Sequence, residues 1–123
     1  MILKTGIDLI EIGRIRKALD RHGERFLERI FTPAEIAESR GRAETLAACF
    51  AAKEAVVKAL GTGIGPVSWT DVECLHHLSG EPYILLHGQA QRVAESLGLE
   101  HWAVSQSHSQ EMATAVVVAL GEK

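Results

Sequence analysis

The stretch FAAKEAVVKALGTGIG constrains this chain more than any other, because it combines an apolar helix pattern with charged residues on the same side. Phe50 and Val57 recur at helical spacing, and Lys53 falls within their apolar stripe. Glu54 and Lys58 are four residues apart and therefore share one helix face. An apolar helix that carries charges toward its buried side usually meets a ligand, a partner or an ion pair there. A plain Glu–Lys pair on the helix surface is the alternative interpretation.

The length and charge of the chain exclude several classes of protein. A chain of 123 residues has room for one domain with a real core, so we predict a single domain over residues 1–123. The net charge of -3 argues against a nucleic-acid binder. No run is apolar enough to cross a bilayer, and the N-terminal stretch carries acids where a signal peptide would be apolar. We therefore expect a cytoplasmic protein without membrane contact, with Cys49 and Cys74 as free buried thiols.

The first half of the chain reads as one strand followed by helices. The patterns predict a strand over 2–10, a helix over 11–22 and a short second helical turn. The sequence Thr32-Pro33-Ala34-Glu35 is typical of a helix start, and we expect that helix to end near Gly41. Thr45 is the predicted cap of the long helix, which Gly61 closes.

The second half is richer in strands. The patterns predict strands over 69–76, 83–86, 102–107 and 112–120, with one helix over 89–97. Helices followed by a hairpin-rich region with one inserted helix favour an α+β fold with an antiparallel sheet. The alternation of a doubly wound parallel sheet is missing.

Asp8 lies between apolar neighbours in the first predicted strand. A carboxylate in that setting is costly unless it is paired, hydrogen-bonded or bound to a metal, and the solvent face of an edge strand is the alternative. If Asp8 and Glu54 converge, they form an oxygen site suited to Mg²⁺, which takes one or two protein carboxylates together with waters and substrate phosphates. Lys53 and Lys58 would then neutralise phosphate oxygens beside the metal.

Two further features, a glycine-rich loop and a histidine after a strand, are weaker evidence for a phosphate-binding site. The loop GTGIG, residues 61–65, would let backbone N–H groups approach a phosphate, but a glycine after a helix is usually only a cap. His108 follows a predicted strand and is a candidate hydrogen-bond donor to a phosphate or a general base. A hydrolase based on Ser107 and His108 is disfavoured because GxSxG is absent and adjacent strand residues point to opposite sides.

A stripe of basic residues follows the first predicted helix and the segment after it. This basic stripe consists of Arg14, Lys17, Arg21 and Arg25. Such a stripe suits an acidic partner or a phosphate-bearing ligand, and a solvated helix face of mixed charge is the alternative.

Taken together, these motifs resemble the holo-acyl-carrier-protein synthase family, the short bacterial form of the 4′-phosphopantetheinyl transferases, over nearly the whole chain. Residues 6–11, GIDLIE, resemble the family's N-terminal G-x-D segment, and residues 31–35, FTPAE, resemble its next landmark. Residues 50–65 resemble the signature F/W-x-x-K-E-A-x-x-K-A-x-G-x-G. Residues 80–83 resemble the G-x-P turn, and residues 104–115 resemble the terminal hairpin.

The resemblance implies the 4′-phosphopantetheinyl transferase fold and transfer of 4′-phosphopantetheine from coenzyme A to a serine of apo-acyl carrier protein. Adenosine 3′,5′-bisphosphate would leave, and the product would serve fatty acid biosynthesis. Asp8 and Glu54 would hold Mg²⁺ on the pyrophosphate, Lys58 would stabilise its charge, and Glu54 or a metal-bound water would take the serine proton. The coenzyme A site would be formed by Lys53, Gly61, Gly63, Gly65, Ser107 and His108.

The resemblance also gives the basic stripe a partner, because carrier proteins are acidic and dock on the helix after the first strand. It implies a homotrimer whose neighbouring chains share the active sites. A non-catalytic module that only binds acyl carrier protein would explain the basic stripe alone. Three positions depart from the family pattern: Cys49 stands where an arginine is frequent, Gln106 stands where an apolar strand residue is usual, and Met112 stands where an aromatic residue is common.

Overall fold

The computed structural model describes residues 1–122 and begins, as predicted, with a strand followed by helices. Strand β1 (Ile2–Glu11) leads directly into helix α1 (Ile12–His22), which ends where Gly23 takes a positive φ of 52°. Helices α2 (Glu24–Ile30) and α3 (Pro33–Ser39) are short. Helix α4 (Ala43–Leu60) is the longest element.

The second half supplies the remaining strands. A 3₁₀ turn (Trp69–Asp71) precedes β2 (Val72–His76), β3 (Pro82–Leu86), α5 (Gly88–Leu97), β4 (His101–His108) and β5 (Met112–Gly121). The main sheet is antiparallel in the order β1-β5-β4, and β2 pairs with β3 in a separate hairpin. This arrangement confirms the predicted α+β fold with antiparallel sheets.

Two predicted boundaries are wrong for local reasons. Thr45 does not cap α4, because the chain turns earlier, at Arg40 and Gly41, both with positive φ, and the Leu46 N–H already bonds the Arg42 carbonyl at 3.1 Å. The predicted strand over 69–76 begins only at residue 72. Its first three residues form the 3₁₀ turn, in which the Asp71 side chain accepts from the Ser68 N–H at 3.2 Å.

Helix α4 packs against the main sheet through small residues. Ala51, Ala52 and Ala55 are fully buried, and the backbone of α4 comes so close to Gly6 that a Cβ there would lie 1.8 Å from the Ala55 carbonyl oxygen. The glycine at position 6 is therefore required by this close approach. The contact places the charged face of α4 beside the middle of β1.

The opposite face of the main sheet is apolar and uncovered. Ile7 and Leu9 on β1 are 63% and 62% exposed, and Val116 and Val118 on the neighbouring strand are each 40% exposed. Ile7 lies directly opposite Val116 in the strand register. In the described part of the chain, no helix is both long and apolar enough to span a bilayer.

Candidate active site

Strand β1 and helix α4 bring Asp8 beside Lys58. The Lys58 Nζ lies 3.1 Å from Asp8 Oδ1 and donates to the Ile7 carbonyl at 2.9 Å. Thr114 on β5 donates its hydroxyl to the Asp8 carbonyl at 2.7 Å, which fixes the backbone from the other side. The Asp8 side chain is 17% exposed and that of Lys58 is 52% exposed. Asp8 therefore faces α4 and does not lie on the open face of an edge strand.

Glu54 lies one helical turn before Lys58 and interacts electrostatically with Asp8. Burial raises the pKa of the Glu54 carboxyl, the negative charge of Asp8 raises it further, and Lys58 lowers it. A cation bound between the two carboxylates would relieve this repulsion. The residues 1–122 contain no cluster of three or more His, Cys, Asp or Glu side chains that would enclose a metal. A pair of carboxylates suits Mg²⁺, which keeps several ligands from water and substrate.

Lys53 does not take part in this site. Its side chain is fully buried, and its Nζ lies 2.7 Å from Glu35 Oε1 on α3. It also donates to the Trp69 carbonyl at 3.0 Å and to the Val72 carbonyl. An ammonium group has three N–H donors, and all three are satisfied inside the protein. The prediction that Lys53 contacts coenzyme A is therefore wrong: Lys53 anchors α4 to α3 and to the start of β2.

The carboxylate of Glu35 is the acceptor at the centre of this buried network. Besides Lys53, it accepts from the Thr32 N–H at 2.8 Å, the Cys74 N–H at 2.8 Å and the Cys49 thiol at 3.0 Å. Burial raises the pKa of the Cys74 thiol to about 12 and that of Cys49 well above its usual range. Both cysteines are free and buried, as predicted. The capping motif at residues 32–35 predicted the helix start but gave no sign that Glu35 is buried.

The glycine loop after α4 is shaped by its backbone. Gly61, Gly63 and Gly65 have φ of 79°, 67° and 129°. The first two donate their N–H groups to the Val57 carbonyl at 3.0 and 3.3 Å, and the third donates to the Val67 carbonyl at 3.1 Å. These N–H groups already have partners, so the idea that they bind a phosphate is not supported. A Cβ at any of the three positions would meet no heavy atom within 4 Å, so this side of the loop is open.

A shallow groove connects Asp8 with His108. One cavity of about 440 Å³ is lined by Asp8, Lys58, Leu9 and Thr114. A second cavity of about 220 Å³ shares Leu9 and Thr114 and continues to Ser107 and His108. The structure therefore places Ser107 and His108 on the same groove as the acid–lysine pair, whereas the lining of these two cavities does not include the glycine loop.

The basic stripe lies on the outer face of α1 and α2. Arg14, Lys17, Arg21 and Arg25 are all exposed, and none of them is among the ion pairs found within residues 1–122. At the end of the stripe is a cleft of about 540 Å³. Its lining is apolar at Phe26, Ile30 and Trp69 and basic at His22, Arg25 and Arg29. Sequence reasoning found the stripe but missed this cleft, because Trp69 reaches it from a distant part of the chain.

Comparisons with known proteins agree with this architecture. The family model of the 4′-phosphopantetheinyl transferase superfamily matches residues 4–117. A holo-(acyl-carrier-protein) synthase from Herpetosiphon aurantiacus is 46% identical, with 98% of this chain and 100% of the relative covered. The Helicobacter pylori synthase solved with coenzyme A superposes with a TM-score of 0.86 at 34% identity, covering 94% of this chain and 99% of that one.

A further solved relative is the Bacillus anthracis synthase in complex with coenzyme A (3′,5′-ADP). It superposes with a TM-score of 0.79 at 38% identity, covering 97% of this chain and 96% of the other. Sequence and fold thus match along almost the full length of each relative. The chain belongs to the 4′-phosphopantetheinyl transferase superfamily.

Proposed function

We propose that this protein transfers the 4′-phosphopantetheine group of coenzyme A to a serine of apo-acyl carrier protein and releases adenosine 3′,5′-bisphosphate. The observation that carries the proposal is the pairing of Asp8 with Lys58 at one end of a groove, close enough to Glu54 for their charges to shift the pKa of its carboxyl. The relatives named above support the donor and the acceptor, because they are holo-(acyl-carrier-protein) synthases and two were solved with coenzyme A. The transferase occupies one domain and works in the cytoplasm, in support of fatty acid biosynthesis.

The chemistry needs charge neutralisation and positioning more than covalent help from the protein. Asp8 and Glu54 would hold Mg²⁺, which when bound neutralises the pyrophosphate. Lys58 places a half-exposed ammonium beside Asp8, where it meets anionic oxygens of the donor. The serine hydroxyl attacks the β-phosphorus, and the bond from that phosphorus to the bridging oxygen breaks. The raised pKa of Glu54 supports this carboxylate as the acceptor of the serine proton.

The basic stripe and the cleft beside it support docking of the carrier. Acyl carrier proteins are acidic, and the exposed cations at Arg14, Lys17, Arg21 and Arg25 would attract one. The apolar residues in the adjacent cleft, Phe26, Ile30 and Trp69, would receive apolar side chains of the carrier. Charges at such a rim mainly set the association rate and its dependence on salt.

We propose a homotrimer, as the resemblance to the family implies, and the uncovered face of the main sheet supports association between chains. The exposed aliphatic residues of this face are contiguous with the groove, since Ile7 and Leu9 line the cavity at Asp8. An apolar surface of this kind marks an interaction site. A neighbouring chain seated there would cover the apolar face and add a second wall to a groove that one chain leaves shallow.

Mass spectrometry of apo-acyl carrier protein incubated with this protein and coenzyme A tests the function directly. We expect the carrier to gain one phosphopantetheine in the presence of Mg²⁺ and none when the metal is removed by a chelator. Transfer that continues without divalent metal would contradict the assignment to the two carboxylates. Binding of the carrier without any transfer, with several carriers tried, would favour the non-catalytic binding module.

Variants of the two carboxylates assign the reaction to this site. Asp8→Ala and Glu54→Ala should each abolish transfer and leave the fold intact, because both side chains are only partly buried and neither belongs to the hydrophobic core. Asp20→Ala is a matched control, since it removes an exposed carboxylate from α1. Near-normal turnover in either site variant would refute the metal assignment.

A further inference from the structure

Side chains hold both peptide groups that flank the Cα atom of Asp8. The carbonyl of Ile7, on one side, accepts from Lys58 Nζ at 2.9 Å, and the carbonyl of Asp8, on the other, accepts from Thr114 Oγ1 at 2.7 Å. Among residues 1–122, no other carbonyl of β1 accepts a hydrogen bond from a side chain. The support of this strand by side chains is therefore concentrated at the residue that carries a proposed metal ligand.

The position of Asp8 depends on this support because β1 lies at the edge of its sheet. Within the described residues β1 pairs only with β5, and Asp8 lies opposite Ala115, whose methyl group cannot donate a hydrogen bond. Lys58 is 52% exposed, and the proposed reaction requires its N–H groups for the anionic oxygens of the donor as well. A threonine hydroxyl has one proton, and Thr114 gives this proton to Asp8. Thr114 is therefore the support for which the donor does not compete.

The packing of β5 does not require a hydroxyl at position 114. Thr114 is the one residue of this strand with a polar side chain, in the sequence MATAVVVALG. Side chains alternate between the two faces of a strand, so Thr114 shares its face with Val116 and Val118, which have the same branched shape without a hydroxyl. A valine at position 114 would suit the strand equally well. The hydrogen bond to Asp8 therefore accounts for the threonine.

Thr114 also borders the candidate metal site. It lines the same cavity as Asp8 and Lys58. Mg²⁺ requires nearly octahedral geometry with ligands at about 2.0–2.1 Å, so a small displacement of a carboxylate weakens its bond to the metal. Groups that orient a metal ligand typically change metal affinity by about 10- to 100-fold. A hydroxyl that holds the backbone of Asp8 is such a group.

We propose that Thr114 is a positioning residue for Asp8, and that its hydroxyl fixes the Asp8 backbone so that the carboxylate is held in position to bind a divalent cation. The inference rests on the proposed function for the metal site, and it adds a residue that acts through Asp8. With this support, the Asp8 carboxylate keeps its place beside α4 while Lys58 contacts the donor.

Replacing Thr114 by valine tests the inference, because valine keeps the branched shape and removes the hydroxyl. Mn²⁺ takes the same oxygen ligands as Mg²⁺ and is the probe, since its binding is measured by electron paramagnetic resonance without coenzyme A or carrier. We expect the dissociation constant for Mn²⁺ to rise about 10-fold in Thr114→Val. Thr114→Ser keeps the hydroxyl and should bind Mn²⁺ like the wild type.

Thr5→Val is the matched control. It makes the same chemical change on β1, at an exposed residue that lies opposite Val118 and therefore on the same face of the sheet as Thr114. This variant should also bind Mn²⁺ like the wild type.

Transfer to apo-acyl carrier protein gives a second readout. The Mg²⁺ concentration that gives half of the maximal rate should rise by the same factor in Thr114→Val, and saturating Mg²⁺ should restore the wild-type rate. The KM for the carrier should stay unchanged, because the basic stripe lies on α1 and α2. A merely structural effect of the substitution would instead lower the rate at every Mg²⁺ concentration, which would overturn the inference.

The remaining outcomes separate this inference from the proposed function. Wild-type affinity for Mn²⁺ in Thr114→Val would overturn the inference and leave the proposed function intact. An equal loss of affinity in Thr114→Val and Thr114→Ser would also overturn it, because the hydroxyl would then not be the group that matters. Absence of Mn²⁺ binding by the wild-type protein, together with transfer that needs no divalent metal, would overturn the metal assignment and this inference together.

Discussion

Replacing Lys53 by methionine would remove the ammonium at the centre of the buried network while keeping an unbranched side chain of similar length. Lys53 and Glu35 are 0% and 1% exposed, so the substitution would leave a buried carboxylate without its counter-charge. Removing one partner of such a pair costs about 3–5 kcal/mol. A domain of this size has a free energy of unfolding of about 5–15 kcal/mol, so about a fifth or more of it would be lost. The expected fall in Tm is roughly 12–20 °C.

The assay is urea unfolding followed by circular dichroism at one protein concentration, because oligomers make apparent stability concentration-dependent. The informative comparison is the double variant Lys53→Met/Glu35→Gln. An amide at position 35 is neutral, and its oxygen still accepts one of the N–H groups that Glu35 serves. We therefore expect the double variant to be more stable than Lys53→Met by about 1–2 kcal/mol.

A loss below about 1 kcal/mol in Lys53→Met would refute this reasoning, as would a double variant less stable than the single one. Loss of transfer with an unchanged free energy of unfolding would instead favour the role that the sequence motif predicted for Lys53, which is contact with a phosphate. The two explanations therefore predict opposite patterns of activity and stability in one protein.

Three other substitutions test the carboxylate site, the packing of β1 against α4 and the basic stripe. Burial and the nearby carboxylate raise the pKa of Glu54, so the ionised side chain destabilises the folded state at neutral pH. Glu54→Gln should therefore abolish transfer yet raise the Tm at pH 7. This gain in Tm should vanish below pH 4.5, the ordinary pKa of a glutamate, because the carboxyl is then protonated in the folded and in the unfolded state. Gly6→Ala should lower the free energy of unfolding, measured by urea titration, by about 3 kcal/mol or more, because the new Cβ would lie 1.8 Å from a carbonyl oxygen of α4. Gly13→Ala is the control: its Cβ would meet no atom within 4 Å, so this variant should be as stable as the wild type or more stable. In steady-state assays, Arg14→Glu should raise the KM for the carrier and make that KM less dependent on salt, and it should leave the KM for coenzyme A unchanged. Arg92→Glu, which reverses another exposed charge, is the control and should change neither KM.

Features fixed by neighbouring residues were predictable from the sequence. Thr32 accepts from the Glu35 N–H at 3.2 Å, as the capping motif predicts, and Gly61 ends α4 with a positive φ. The position of Asp8 was only partly predictable, because the pattern of β1 left open whether this carboxylate faces α4 or the solvent, and its pairing with Lys58 appears only in the structure.

Features that depend on distant partners were not predictable in the same way. The pattern placed Lys53 in an apolar stripe, but its acceptors come from α3 and from residues 69–72, and no periodicity shows where those lie. Gln106 was noticed only as an unusual polar residue in a strand. Its hydrogen-bond partners are a carbonyl 58 positions away in sequence and the imidazole of His76 on the other sheet.

The order of strands in the main sheet has a consequence for protein synthesis. Strand β1, which carries Asp8, pairs only with β5 in that sheet, and Ile2 lies opposite Gly121. At a translation rate of about 5–20 residues per second, the first strand waits on the order of 5–20 s for its partner to leave the ribosome. During that interval Asp8 has no sheet to hold it against α4. A nascent chain can therefore form helices early, but it cannot assemble the carboxylate pair until its final strand is made.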